Sequence, residues 1–312
     1  MSVWSDIQDR SSGEQVRKED TIQMIEGFLK TIGVERYTIN PDFSIDVQGP
    51  ITIKDMEFPQ GELPVHFGTV WGEFVCTDTN LSSLKGFPTK VRGFVVCHNN
   101  KIKSLVGCPL EATGYDFRYN QLISLKGSPK EVKGPFYCHY NNLTSLEGGP
   151  VSVWELFNCS HNSLTSLSGA PIKVGSTFDC SYNQLTSLEG GPKHVGEEYA
   201  CDHNYLLSLK GAPAEVPHGH FNCSYNQLTS LEGGPRKVSM RYECNNNKLS
   251  SLKGAPARVN IAFDCKHNQL SSLKGGPKVV YGRYYCWYNS VDFTKEDISK
   301  YCQVIKSDED DD

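Results

Sequence analysis

CSYNQLTSLEGGP, running from Cys180 to Pro192, returns letter for letter at Cys223 to Pro235. Weaker copies fill the chain between Trp71 and Tyr288. Internal repetition at a short fixed period decides architecture before any local propensity does. Cysteines fall at 76, 97, 138, 159, 180, 201, 223, 244, 265 and 286, stepping by 21 except for one step of 22 and a gap that Phe117 fills. The unit is V-x-x-x-F/Y-x-C-x-x-N-x-L-x-S-L-x-G-x-P, in about ten complete copies and a truncated eleventh.

Each fixed position has a physical task. The stretch F-x-C alternates as a strand does, so the aromatic (Phe74, Tyr115, Phe136 and their equivalents, with Val95 once) and the cysteine share one face, the core. The recurring asparagine, Asn100 through Asn289, stands where the strand must turn, and its amide can bond both its own repeat's backbone and the neighbour's. Leucine pairs such as Leu143 with Leu146 stack into ridges, and a serine lies between them in every copy from Ser83 to Ser272. Glycine and proline, Gly86 to Gly275 and Pro88 to Pro277, return the chain in too few residues for a helix.

These residues resemble the leucine-rich repeat, whose core L-x-x-L-x-L-x-x-N-x-L ends in positions held here by aromatic, cysteine, asparagine and leucine. The resemblance covers about 220 of 312 residues. It implies a β-rich leucine-rich-repeat solenoid: a parallel sheet on the concave face, an irregular convex face, a small α/β N-terminal cap and a short C-terminal helix. More narrowly, N-x-L-T-S-L-E-G-x-P is similar to the short bacterial and bacteriophage type, seen in uncharacterised repeat proteins of large tailed phages and, more distantly, in type III effectors. The effectors' L-P-x-L-P spacing is missing and their ubiquitin-ligase domain has no room, so that activity is not implied.

Stacked repeats expose apolar surface at both ends, so the flanks read as caps. The organisation expected is a loosely ordered segment 1–16, a cap 17–70, the solenoid 71–290, a capping helix 291–306 and an acidic tail 307–312. In the first cap, Ile22, Ile25, Phe28, Leu29 and Ile32 recur at helical spacing up to Gly33. Tyr37 to Ile39 and Phe43 to Val47 form a hairpin about Asn40-Pro41-Asp42, and Ile51 to Ile53 opens a degenerate repeat. In the last cap, Thr294 and Asp297 are spaced for a capping box, with Ile298, Tyr301, Cys302 and Ile305 expected inward.

Composition narrows the function classes. Net charge is -5, and the last five residues are all acidic, so the body is balanced. It lacks the basic excess a nucleic-acid binder uses to displace counterions. Neither an apolar leader nor a membrane-length run occurs, which reads as a soluble, cytoplasmic protein. In a parallel stack neighbouring cysteines hold their Cβ atoms too far apart for a disulfide, about 4.8 Å, and a straight row does not converge on zinc. They read as buried free thiols, as do Cys108 and Cys302 outside the row. Histidines 98, 139, 161, 203, 220 and 267 map to outward positions, too far apart within any one column to chelate. No cofactor is expected, and no catalytic motif appears.

What remains is the outward face. The position after the cysteine holds Thr77, His98, Arg118, His139, Ser160, Ser181, Asp202, Ser224, Asn245, Lys266 and Trp287. The next holds Asp78, Asn99, Tyr119, Tyr140, His161, Tyr182, His203, Tyr225, Asn246, His267 and Tyr288. Tyr137, Tyr285, Asp116, Asp179, Glu243 and Asp264 complete the surface. Aromatic enrichment marks protein interfaces, so Tyr119, Tyr137, Tyr140, His161, Tyr182, His203, Tyr225, His267, Tyr285, Trp287 and Tyr288 are the candidate partner-binding residues. The same rings could instead stack on one another and stabilise the sheet. The function expected is a non-enzymatic scaffold that binds a protein partner, a host bacterial protein if the phage resemblance holds, and inhibits it by occupying it. The alternative is a structural or self-associating component.

Overall fold

The computed structural model describes residues 18–305; the segments 1–16 and 307–312 of the expected organisation lie outside them. Helix α1, Lys18–Thr31, buries Ile25, Phe28 and Leu29. The hairpin follows, Tyr37–Ile39 antiparallel to Ser44–Val47. From Ile51 onward each repeat contributes one strand to a twelve-stranded parallel sheet that ends at Arg283–Tyr285. Register is strict: Phe136 pairs with Phe157, which pairs with Phe178, then Tyr199, Phe221, Tyr242, Phe263 and Tyr284.

Irregular repeats are absorbed outside the sheet. The 22-residue step keeps Ala200 opposite Asn222, so its extra residue sits in the turn after Glu215–Val216. A second column of short strands, such as Glu131–Val132, Ser152–Val153 and Lys173–Val174, runs beside the long sheet, divided among four sheets. Its anchor is the valine that opens the repeat unit, buried at Val132, Val153 and Val174.

The core is a set of columns, each one residue of the repeat. Every cysteine from Cys76 to Cys286 is buried and reduced, and the thiols of Cys138, Cys159, Cys180, Cys201 and Cys244 donate to backbone carbonyls of the following repeat at 3.2 to 3.3 Å. The asparagine column binds neighbouring turns together. Asn183 donates to the carbonyls of Cys159 in the preceding repeat and of Cys180 and Ser181 in its own, while its Oδ1 accepts from Leu164 N–H. The same set recurs at Asn141, Asn162, Asn204, Asn226, Asn247 and Asn268. Without it the backbone at each bend would be buried with unmet polar groups.

At the C-terminal end the capping box forms at Thr294 and Asp297. Helix α2 covers only Lys295–Ser299, however, and Gln303–Ile305 is a strand paired with Val279–Tyr281. Helical spacing fails beyond Ser299, so Tyr301, expected inward, is exposed, while Cys302 is buried.

Candidate interaction surface

The decisive local feature is a column of left-handed residues. Asp78, Asn99, Tyr119, Tyr140, His161, Tyr182, His203, Tyr225, Asn246, His267 and Tyr288 all have φ between 49° and 57°. This bend turns the chain so that the next residue, the ladder asparagine, points into the core, while the side chain at the bend itself stays at the surface. Asparagine and aspartate tolerate the conformation; bulky side chains in it are strained by about 1–2 kcal/mol. Eight of the eleven positions nonetheless carry tyrosine or histidine.

These rings form a continuous stack. Successive centroids lie 4.5, 4.2, 4.3, 4.1 and 4.2 Å apart from Tyr119 through Tyr140, His161, Tyr182 and His203 to Tyr225, with interplanar angles of 14° or less. Strand spacing of about 4.8 Å sets this separation. Asn246 interrupts the stack, and His267 and Tyr288 resume it at 4.5 Å. Tyr119, Tyr140, Tyr182 and Tyr225 remain 41 to 48% exposed and Tyr288 65%, because stacking hides their faces and leaves their edges and hydroxyls in water. Filling the gap with Asn246→Tyr adds two ring contacts of ~0.5–1.5 kcal/mol each against a left-handed penalty of ~1 kcal/mol. A melting point equal to or above wild type is expected in a thermal unfolding scan.

The other candidates separate from this stack. Tyr137 is half-buried, edge-on to His139 at 5.9 Å. Tyr285 meets Trp287 edge-on at 5.1 Å, with the Lys266 ammonium 5.8 Å from both rings. The eleven side chains thus form one six-ring stack, the His267–Tyr288 pair, the Tyr285–Trp287 pair, and Tyr137 beside His139.

Several positions read as outward are covered instead. Thr77, Ser160, Ser181, Ser224, Asn245, Asp116 and Asp264 are all buried. Flanking side chains shield short residues on a stacked sheet. The serines are also clamped, Ser160, Ser181 and Ser224 donating to Asn158, Asp179 and Asn222 at 2.6 to 2.7 Å. His98 and His139 likewise keep a buried Nδ1, and burial, then Arg118, lowers the pKa of His139 to about 4. Asp179, Glu198, Asp202 and Glu243 lie on one side of the sheet, and the burial that raises the pKa of Glu198 is reinforced by the other three. Glu198 was not singled out because its position in the repeat otherwise holds unrelated residues such as Leu156, Thr177 and His220.

One strand, one inward asparagine and one leucine pair per turn, closed without a helix, define the architecture. It is a leucine-rich-repeat solenoid. No protein-family model matches the sequence, and no curated protein is similar to it in sequence. Among solved structures, YopM from Yersinia enterocolitica aligns over 97% of this chain and 98% of its own at 13% identity and a TM-score of 0.35. The leucine-rich repeat domain of APL1B aligns over 95% and 100% at 13% identity and 0.44. LIC12759, a leucine-rich-repeat protein of Leptospira interrogans, aligns over 75% and 78% at 12% and 0.31. Among the described residues no cluster of three or more histidine, cysteine or acidic side chains is placed to hold a metal ion, and no helix is long and apolar enough to cross a membrane.

Proposed function

We propose that the solenoid is a scaffold that binds a protein partner through the open face of its long sheet and the aromatic stack beside it, acting by occupancy and not by chemistry. The observation that carries this reading is the stack itself. Asparagine satisfies the left-handed bend with less backbone strain, as it does at Asn99 and Asn246, so backbone geometry does not require large side chains there. Pre-ordered tyrosine offers broad contact area for little further loss of entropy. The resemblance to phage repeat proteins makes a host bacterial protein the expected partner class and inhibition the expected result.

Asparagine is the clean substitution for a test, because it suits the bend. Y182N/Y225N/Y288N is expected to abolish capture of the partner from host lysate while keeping the wild-type circular dichroism spectrum. Undiminished capture would remove this face from the reading. A second reading, self-association, draws on Trp287, Tyr288, Val291, Tyr301 and Val304, all exposed toward the C-terminal end. Sedimentation velocity separates the two: a mass independent of concentration is expected of the scaffold, and a rising mass of the assembly component.

A further inference from the structure

Between Asp179 and Asp264 the open face of the sheet changes character. Its central row reads Asp179, Ala200, Asn222, Glu243 and Asp264 in successive strands. Ala200 and Asn222 are short, so this row is a shallow floor flanked by carboxylates. Glu198 and Asp202 stand on either side of Ala200 in the chain. Elsewhere on the same face an acid has its own cation, Asp116 with Arg118 at 3.1 Å and Asp264 with Lys266 at 3.0 Å. Asp202 meets His203 at 2.8 Å. Asp179, Glu198 and Glu243 form no ion pair among the described residues. Among the described residues Asp179 accepts from Ser181, whose N–H and hydroxyl both reach one carboxylate oxygen.

Burial and like charge both work against ionisation of Glu198 and Glu243. Burial, then neighbouring carboxylates, raises the pKa of Glu198. Glu243 is raised first by burial, with Asp264 and Asp202 adding to it and Arg241 and Lys266 opposing. Unpaired, partly desolvated like charges are relieved by a cation that arrives with a partner. Along one margin of the floor run Tyr182, His203 and Tyr225, stacked at 4.1 and 4.2 Å.

We propose that this part of the sheet is the docking site for a cationic segment of the partner protein, whose arginine or lysine side chains pair with Asp179, Glu198 and Glu243 while its chain lies against the Tyr182–His203–Tyr225 stack. The assignment rests on the scaffold reading and adds the chemistry of the partner. Binding through these groups is weakened by salt, since the contacts are charged and partly open to solvent.

The test uses the full chain and a fluorescently labelled arginine–glycine peptide as the probe, read by anisotropy. D179N/E198Q/E243Q is expected to bind it at least about tenfold more weakly than wild type, a loss in the range for removing charged contacts. E147Q/E189Q/E215Q removes as many carboxylates from outside this face and is expected to bind like wild type. The first variant should also melt no lower than wild type, because a repulsive cluster has been neutralised. Equal weakening in both variants, or no weakening in the first, overturns the proposal. So does a partner that D179N/E198Q/E243Q still captures from lysate as wild type does while Y182N/Y225N/Y288N does not. That last outcome leaves the scaffold standing and rejects only its charge preference.

Discussion

Replacing Asn183 by alanine is expected to lower the stability of the protein by about 2–5 kcal/mol, an effect its equivalents in the same column should share. Its amide serves four backbone groups in two repeats. Alanine leaves Leu164 N–H buried without its partner, at about 1–3 kcal/mol, and removes hydrogen bonds of about 0.5–1.5 kcal/mol each to the carbonyls of Cys159, Cys180 and Ser181, of which Cys159 keeps the one from Asn162. Aspartate of the same shape should be no better, because it can accept from Leu164 but donates nothing to the carbonyls. Asn142→Ala, at an exposed position two repeats earlier, serves as the control and should change stability by less than about 0.5 kcal/mol. Urea unfolding measures both. Hydrogen exchange adds a local readout: the Leu164 amide should lose its protection in the variant. Because each turn contacts only its neighbours, a weakened central turn should also lower the apparent m-value as the two halves uncouple. A loss below about 1 kcal/mol would mean that the column decorates the bend without supporting it.

A second large effect is expected from a size match hidden in the core. Glycine precedes tyrosine by eight residues at Gly191 and Tyr199, Gly234 and Tyr242, and Gly276 and Tyr284. Ala170 precedes Phe178 and Ala255 precedes Phe263 at the same interval, and Ala212 precedes Phe221 with the one inserted residue. A methyl group on Gly191 or Gly234 would sit 2.9 Å from the hydroxyl of its tyrosine, and on Gly276 3.0 Å. Among the described residues the hydroxyls of Tyr199 and Tyr242 have no hydrogen-bond partner. Tyr199→Phe should therefore stabilise the protein by ~1 kcal/mol, and Gly191→Ala should destabilise it by about 1–3 kcal/mol through overpacking. The double substitution recreates the Ala170–Phe178 arrangement and should return at least to wild-type stability. A coupling of about 1 kcal/mol or more in the double-mutant cycle is the signature; simple additivity would contradict the match. Phe157 departs from the pattern, with Gly149 before it. Tyr115, which follows Cys108, directs its hydroxyl to the Pro109 carbonyl at 2.9 Å.

Much of this fold was legible because the repeat fixes both residue type and position. Alternation alone put Phe136 and Cys138 inside, and the amide's capacity for several bonds gave Asn141 its role. Left-handed geometry was harder to see, since Tyr140 and His161 do not advertise positive φ. Only Asp78, Asn99 and Asn246 in the same column hint at it. Burial of Ser181 and Asp116 was missed because alternation assigns a direction and says nothing of how deeply flanking side chains shield a short one. Tyr301 was misplaced by extending a helical period past the point where the chain joins Val279–Tyr281 as a strand. The unpaired acids come together only when four repeats are stacked, so no local stretch of sequence reveals them.

Everything turns on direction: the cysteine column faces inward throughout, while the tyrosines and histidines at eight of the eleven bends face outward, so the thiols are shielded and the rings are displayed. Alkylation of the native protein without reductant, followed by intact and peptide mass measurement, tests it most directly. Burial pushes every one of these thiols up, Cys286 and Cys302 to about 11 and Cys76 to about 12, with the interior cysteines from Cys97 to Cys265 no lower. The expected result is a chain with all twelve cysteines reduced, modified slowly at Cys286 and Cys302 first and in the interior row only on unfolding. Rapid labelling along the row of the native protein, or a mass lighter by a native disulfide, would contradict the account.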